Sequence, residues 1–464
     1  MQTDIDIVVI GGGISGLAAA FGLKQRGATV DVLEAAPRAG GVIGTRRRHG
    51  ALFELGPNST LDTTPLINDL LDALGIRGER QDTSAVAATR FVVRGGKLVA
   101  LPSSPATFFT TPAFSIGAKL RLLREPFIAP APADADESIA AFTRRRLGTE
   151  FLDYAIDPFV SGVYAGDPEQ ISVPAAFPRL HALEQKYGSL IKGQIMGVRE
   201  RKRNAEKAKN AAVSFSFRGG MQTLTDALAR DVGRIETGVR VRRIERNADG
   251  TWTVAGARGG EPVIRRAMAV VLAVPAYEAA KLARELFPAA AKGLGAIEYA
   301  AIASAACGYR RTDVTDPLAG FGFLVPKKEQ RPILGTLFSS SMFDGRAPEG
   351  TVLLTTFIGG RRNPEMLARP DAKLAQIVHD ELAALVGARA PPLWTEITRY
   401  PHAIPQYNLG HAARLRPVDD AERALPGLFF CASYRGGVSV GDCIKSAHAT
   451  ADAVTRFLVD ERRA

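Results

Sequence analysis

Residues 5–34 constrain what this chain can fold into more tightly than any other stretch. Ile5 to Ile10 is an apolar, β-branched run, Gly11-Gly12-Gly13-Ile14-Ser15-Gly16 supplies a G-x-G-x-x-G turn, Leu17 to Gln25 is helix-compatible, and Thr29 to Leu33 ends at Glu34. Strand, glycine turn, helix and strand in that order make a β-α-β dinucleotide-binding unit. Gly11 permits the tight turn, Gly13 lets backbone approach a pyrophosphate, and Gly16 lets the helix pack on the strand. Ile14 and Ser15 open the helix, whose N-terminus faces the phosphates. A carboxylate at Glu34 accepts hydrogen bonds from both hydroxyls of an adenosine ribose and repels a 2′-phosphate, so FAD or NAD is expected rather than NADP.

The 464 residues predict about three structural units, and 46% hydrophobic with 23% charged residues is ordinary globular composition. The net charge of +11 suits an anionic partner: nucleic acid, acidic lipid or a polycarboxylate. No nucleic-acid motif is present and the basic residues do not interleave with aromatics, so nucleic acid is not expected. Cys307, Cys431 and Cys443 are too scattered for a disulfide framework or a zinc site. The first residues carry acids where a signal peptide would carry basic residues, so secretion is not expected. No apolar run reaches the ~20 residues of a spanning helix, which leaves only peripheral membrane contact.

Periodicity divides the chain into separated pieces. The nucleotide-binding unit takes 1–60, then 213–292 with a helix at Met221 to Arg230, a hairpin of Val239 to Arg246 and Thr251 to Val254, and an apolar strand at Ala269 to Val274. Its last piece is 425–464, where Leu428 to Cys431, a glycine turn and a helix from about Ser439 to Leu458 repeat the strand-turn-helix order. Residues 61–101 and 293–424 supply a second, mixed sheet, with strands at Phe321 to Val325, Ile333 to Phe338 and Val352 to Phe357 and a helix near Leu374 to Leu385. Residues 102–212 are mostly helical and end in a basic run. A second glycine fingerprint and a redox cysteine pair are both missing, so one dinucleotide and no disulfide reductase are expected.

Gly11 to Gly16, Glu34-Ala35, Arg38 and Gly40-Gly41 resemble the flavin-containing amine oxidase superfamily. Gly56-Pro57-Asn58-Ser59, Asp157 to Asp167, Phe217 to Met221, Ala403 to Tyr407 and Tyr434 to Asp442 are similar, nearly end to end, to the oxygen-dependent protoporphyrinogen oxidases. That resemblance implies an α/β fold with a Rossmann-like FAD domain of the p-hydroxybenzoate-hydroxylase type, a mixed-sheet substrate domain and an α-helical membrane-binding domain. It implies FAD as cofactor, a tetrapyrrole substrate, six-electron oxidation of protoporphyrinogen IX to protoporphyrin IX, and O2 as acceptor. A homodimer, a ferrochelatase contact and cytoplasmic location at the inner face of the cell membrane are further expectations from it.

The same resemblance assigns roles residue by residue. Val438, Ser439 and Val440 enter the last helix beside the flavin pyrimidine edge, where a helix N-terminus stabilises the negative charge of reduced flavin. Val241 matches a backbone contact to adenine, and Arg38 with Gly40-Gly41 matches a pyrophosphate loop. Arg90 matches the arginine that pairs with a propionate; Gly322, Leu324, Leu337 and Phe357 match the positions that hold the tetrapyrrole. No catalytic side chain is assigned, because hydride transfer from a meso carbon to flavin N5 needs placement above all. Phe108, Phe109, Phe114 and Phe127, with the basic run Lys192 to Asn210, are expected to meet anionic lipid. Coproporphyrinogen III oxidase, a flavin amine oxidase and an FAD-free carrier of the same fold are the alternatives. Ile297 to Tyr309 lacks the lysine that amine oxidases place near N5, and the intact Gly13, Glu34 and Gly40-Gly41 argue against a carrier.

Overall fold

In a computed structural model, which describes residues 5–102, 104–196 and 212–461, Ile7–Ile10 is the middle strand of a five-stranded sheet. The sheet runs Ile235–Thr237, Val30–Glu34, Ile7–Ile10, Ala269–Leu272, Leu428–Phe430, with every neighbouring pair parallel. Its two central strands, IVVI and AVVL, are buried at every position, as expected when helices or strands cover both faces of a parallel sheet. Residues far apart in sequence thus share one sheet.

The first helix, Ile14–Gln25, is buried from Ser15 through Leu23. It is apolar all round because it has protein on every side: the sheet beneath, and the helices Gln222–Val232 and Val440–Glu461 against it. The hairpin expected at 239–254 is instead a three-stranded antiparallel meander. Its second strand runs on to Arg258, and Gly259-Gly260, both at positive φ, turn the chain into a third strand, Glu261–Ala267.

The second sheet has seven strands in the order Trp394–Pro405, Tyr299–Arg310, Thr351–Gly359, Ile333–Leu337, Gly322–Leu324, Arg90–Arg94, Lys97–Ala100. Pairing is antiparallel except between Gly322–Leu324 and Arg90–Arg94. One face packs on the helix Asp371–Val386 through Leu374, Val378 and Leu382, spaced one helical turn apart. The other face meets Phe53 and Leu55 at Ala306 and Leu353, and meets Ala165 at Phe357.

The described part of 102–212 folds as short helices, among them Ile116–Leu122, Ile139–Arg146, Asp157–Tyr164, Pro178–Tyr187 and Leu190–Met196. Arg146 is fully buried and satisfied by Glu125 at 3.1 Å and Glu184 at 2.6 Å. Phe114 is not on an outer face: it is buried and stacks on Phe151 at 4.4 Å, with Phe108 5.8 Å from each. The sequence expectation for Phe114 as a lipid contact fails because the chain folds these rings onto one another. Phe109 and Phe127 are exposed. Most of the basic run, residues 197–210, lies outside the described residues. Among the described residues no helix is long and apolar enough to cross a membrane.

The helices are tied to the second sheet by one buried ion pair. Asp157 accepts from the Lys327 N–H at 2.6 Å and from Arg362 Nη2 at 3.0 Å, and Arg362 also reaches Ser161 Oγ and the Val325 carbonyl, each at 2.7 Å. Arg362→Met leaves a buried, unpaired carboxylate, so unfolding free energy should fall by about 3–5 kcal/mol in a denaturant titration. A loss under about 1 kcal/mol would show that the pair is not structural.

Candidate functional site

The glycine turn forms a cradle with different space at each position. A methyl group at Gly16 would overlap the Gly11 carbonyl oxygen, and one at Gly11 would lie 2.5 Å from the Ala273 oxygen. At Gly13 nothing lies within 4 Å. Gly11 and Gly16 therefore serve close packing within the chain, and Gly13 keeps open a space that the chain itself does not use. Gly41 closes the cradle, its side-chain direction 3.1 Å from the Gly13 Cα, and the Gly40 N–H donates to the Gly12 oxygen at 2.7 Å.

Glu34 stands at the end of its strand with its carboxylate held from two sides. Oε2 accepts from the Gly12 N–H and Oε1 from the Ala36 N–H, both at 2.6 Å. Each oxygen keeps a lone pair for a ribose hydroxyl. Ala35 is exposed beside it. Arg38 turns into its own loop and donates to the Ala39, Gly41 and Ile43 carbonyls at 2.8, 3.2 and 2.9 Å, which shapes the Gly40-Gly41 turn. Val241 is half-buried on the meander, whose start is tied near Glu34 by the Gly238 N–H bond to the Ala36 oxygen at 2.9 Å.

Gly56 to Ser59 follow Glu54, which is anchored by Arg346 at 2.9 Å and the Met221 N–H at 3.0 Å. A methyl at Gly56 would overlap the Val42 oxygen; Asn58 donates to the Gly56 oxygen at 3.2 Å, and Ser59 accepts from Ser214 at 2.9 Å. Pro57 between them is half-buried.

Val438, Ser439 and Val440 lead into the last helix. Ser439 Oγ accepts from the Asp442 N–H at 3.1 Å and donates to the Asp442 carboxylate at 2.6 Å, which caps that helix. The first and last helices lie side by side and parallel: Ser15 faces Cys443, a methyl at Gly22 would lie 3.2 Å from the Ala451 Cβ, and Arg26 pairs with Asp452. Two positive helix ends therefore share one end of the molecule, beside the Gly13 space, and they suit an anionic dinucleotide. Glycine cradle, ribose-type carboxylate and paired helix ends fit FAD.

The substrate candidates form a separate group. Sheet register places Gly322 opposite both Arg90 and Leu337, and Leu324 opposite Gly335, which in turn faces Phe357. With side chains alternating along each strand, Arg90, Leu324, Leu337 and Phe357 project from one face. It is the face turned away from the Asp371–Val386 helix. Gly322, at φ +139°, has no room for a side chain under the Thr336 oxygen. Arg90 is exposed at the start of its strand and its guanidinium lies over the Phe321 ring at 5.0 Å; partial desolvation pulls its pKa below the ordinary value, and among the described residues no carboxylate offsets this. Arg146, Arg346 and Arg362, which unlike Arg90 are largely withdrawn from solvent, each meet a carboxylate.

Two contacts at this site had no role in the sequence reading. Gly162, inside the Asp157 to Asp167 stretch, has its side-chain direction 2.8 Å from Leu324 Cδ2, so its lack of a side chain sets where that leucine lies. Tyr407 is bonded to the loop before Val438. Both stretches stood out as motifs, and only their contacts explain them.

Gly13→Ala and Gly16→Ala separate the two uses of glycine. Gly13 has ordinary extended-to-helix dihedrals, φ −74° and ψ 178°, so Gly13→Ala should leave apoprotein melting unchanged and weaken FAD at least tenfold, about 1.4 kcal/mol, in a flavin-fluorescence titration. Gly16→Ala should lower the melting temperature with or without FAD. Equal effects of the two variants on apoprotein melting would refute the distinction.

Residues 14–455 match the family described as flavin containing amine oxidoreductase. The mitochondrial protoporphyrinogen oxidase of Nicotiana tabacum is 36% identical over 482 residues, covering 97% of this chain and 95% of its own length. The coproporphyrinogen III oxidase of Propionibacterium freudenreichii subsp. freudenreichii is 32% identical over 487 residues, covering 97% and 90%. A crystal structure of an Exiguobacterium sp. protein, provisionally assigned as a protoporphyrinogen oxidase, superposes with a TM-score of 0.80 at 24% identity, covering 98% and 99%. With its cradle, its paired helix ends and these relatives, the chain belongs to the flavin-containing amine oxidoreductases and, within them, to the protoporphyrinogen oxidase group of FAD-dependent oxidases.

Proposed function

We propose that this chain oxidises protoporphyrinogen IX to protoporphyrin IX in tetrapyrrole biosynthesis, with O2 as the final acceptor. The observation that carries the reading is the apolar sheet face with one unpaired guanidinium at its edge. A porphyrinogen is a broad apolar macrocycle with carboxylates on one side. Leu324, Leu337 and Phe357 cover apolar surface and exclude water, while Arg90 offers a planar fork to a propionate. When bound, FAD supplies the two-electron acceptor. None of Leu324, Leu337 and Phe357 carries a titratable group, so their contribution is placement.

Coproporphyrinogen III, with two further propionates, is the second reading, favoured by the 32% identical coproporphyrinogen III oxidase. Aerobic turnover of both porphyrinogens, followed by porphyrin fluorescence, decides between them; turnover of neither overturns both. Arg90→Ala should retain bound flavin and lose about 1.5–3 kcal/mol of substrate binding, a roughly ten- to hundredfold fall in kcat/KM carried by KM. Unchanged kinetics would remove Arg90 from the site.

We also infer peripheral attachment to an anionic membrane. Ile116, Leu120, Leu123 and Phe127 recur at helical spacing and all are exposed, Ile116 by 76% and Phe127 by 87%, with Phe109 also exposed. Arg124 stands among them. Exposed apolar side chains on the short helix Ile116–Leu122 and the turn that follows it, beside a basic residue, suit the headgroup boundary of a bilayer, each fully buried one contributing about 1.5–3 kcal/mol. The Leu120→Ser, Phe127→Ser double variant should co-sediment at least tenfold less with phosphatidylglycerol vesicles and keep its flavin spectrum. Equal sedimentation would exclude this face.

A further inference from the structure

Tyr407 closes the Ala403 to Tyr407 stretch and is 2% exposed. Its hydroxyl donates to the Ser433 carbonyl at 2.8 Å and accepts from the Gly437 N–H at 2.9 Å. Its ring stacks on His411 at 4.2 Å and 15°. His411 Nε2 in turn donates to the Tyr434 carbonyl at 2.9 Å. One stacked pair thus holds three backbone groups of the turn that precedes Val438.

That turn needs holding. Gly436 and Gly437 sit at φ +85° and +125°, and glycine resists displacement least of all residues. Behind Tyr407 the support is rigid: its carbonyl accepts from the Ser172 N–H at 2.8 Å. Burial pushes the phenol pKa well above its ordinary value, so the hydroxyl stays a donor.

We propose that Tyr407 is a positioning residue for the flavin, its hydroxyl fixing the Ser433–Gly437 turn so that the N–H groups of Val438, Ser439 and Val440 stay aimed at the pyrimidine edge. This rests on the FAD reading of the site. Removing the hydroxyl frees the Gly437 N–H and the Ser433 carbonyl together, and the turn relaxes. Preorganised N–H dipoles favour the anionic, reduced form, so loosening them disfavours reduction.

Tyr407→Phe keeps the ring and the stack. The variant should bind FAD stoichiometrically, show a shifted visible flavin band, and have a midpoint potential lower by about 30 mV, a tenfold change in the two-electron equilibrium. Its kcat should fall about tenfold with KM within twofold. Tyr164→Phe is the control: it removes a neighbouring buried hydroxyl, bonded to the Ala176 carbonyl at 3.0 Å, whose ring is 6.1 Å from Tyr407. It should leave band and potential unchanged. His411→Phe, which removes only the Tyr434 bond, should shift the potential in the same direction by less, and it stands as the test should Tyr407→Phe not fold. Wild-type band and potential in Tyr407→Phe, or in His411→Phe where that variant alone folds, would overturn the proposal, as would an equal shift in Tyr164→Phe. Wild-type protein that is colourless and takes up no FAD would instead overturn the flavin reading beneath it.

Discussion

The parallel packing of the first and last helices is the constraint on which the rest of the structure depends. Gly22 against Ala451 lets the two axes approach closely, and Ala447 and Ala451 are fully buried in the seam. Parallel neighbours align their dipoles unfavourably, so the arrangement costs electrostatic energy that apolar burial must offset. What it yields is two positive helix ends at one place. An anionic dinucleotide there relieves the repulsion, and its binding is therefore coupled to the stability of the whole α/β half through mass action. The first helix comes from residue 14 and the last from residue 440, so a site built this way requires both ends of the chain to be folded before it exists.

How much of this was legible in the sequence depended on the range of the interactions. The glycine turn and Glu34 lie within 34 residues and act on one another through backbone geometry, so their spacing alone identified the unit. Strand alternation also works locally, and it placed Ile333–Leu337 and Thr351–Gly359 nearly to the residue. Glu261–Ala267 escaped notice because its charged, proline-containing sequence has little alternation and relies on the Gly259-Gly260 turn. The roles of Asp157 and Tyr407 were not legible, since their partners Arg362 and Gly437 lie 205 and 30 residues away. Phe114 was misplaced for a related reason: composition says a ring prefers apolar surroundings, and only the fold says whether lipid or Phe151 supplies them.

The sheet face proposed to hold substrate shows how the chain treats its arginines differently. Burying a guanidinium is costly, and the chain meets that cost with carboxylates at Arg146, Arg346 and Arg362. Arg90 stays exposed at the margin of the apolar face and carries no such cost. The ring of Phe321 holds its guanidinium through a cation–π contact. In the proposed reading, a ligand carboxylate would meet a guanidinium already oriented by the Phe321 ring, beside the aliphatic and aromatic carbon of the same face.

The helical part of 102–212 bears on both halves of the site at once. Through Asp157 and Arg362 it grips the strand pair that carries Gly322 and Leu324, and through Gly162 it fixes where Leu324 lies. Through Ser172 and the Ile171–Asn408 bridge it backs Tyr407, and hence the turn before Val438. These are stiff connections, made of buried hydrogen bonds and close packing. The turn before Val438 and the sheet face of Arg90, Leu324, Leu337 and Phe357 are consequently registered to each other through a third element that belongs to neither. Placement of a carbon against a flavin tolerates little error, so that common brace gives the Asp157 to Asp167 and Ala403 to Tyr407 stretches, to which no catalytic side chain is assigned, a structural reason to stand out in the chain.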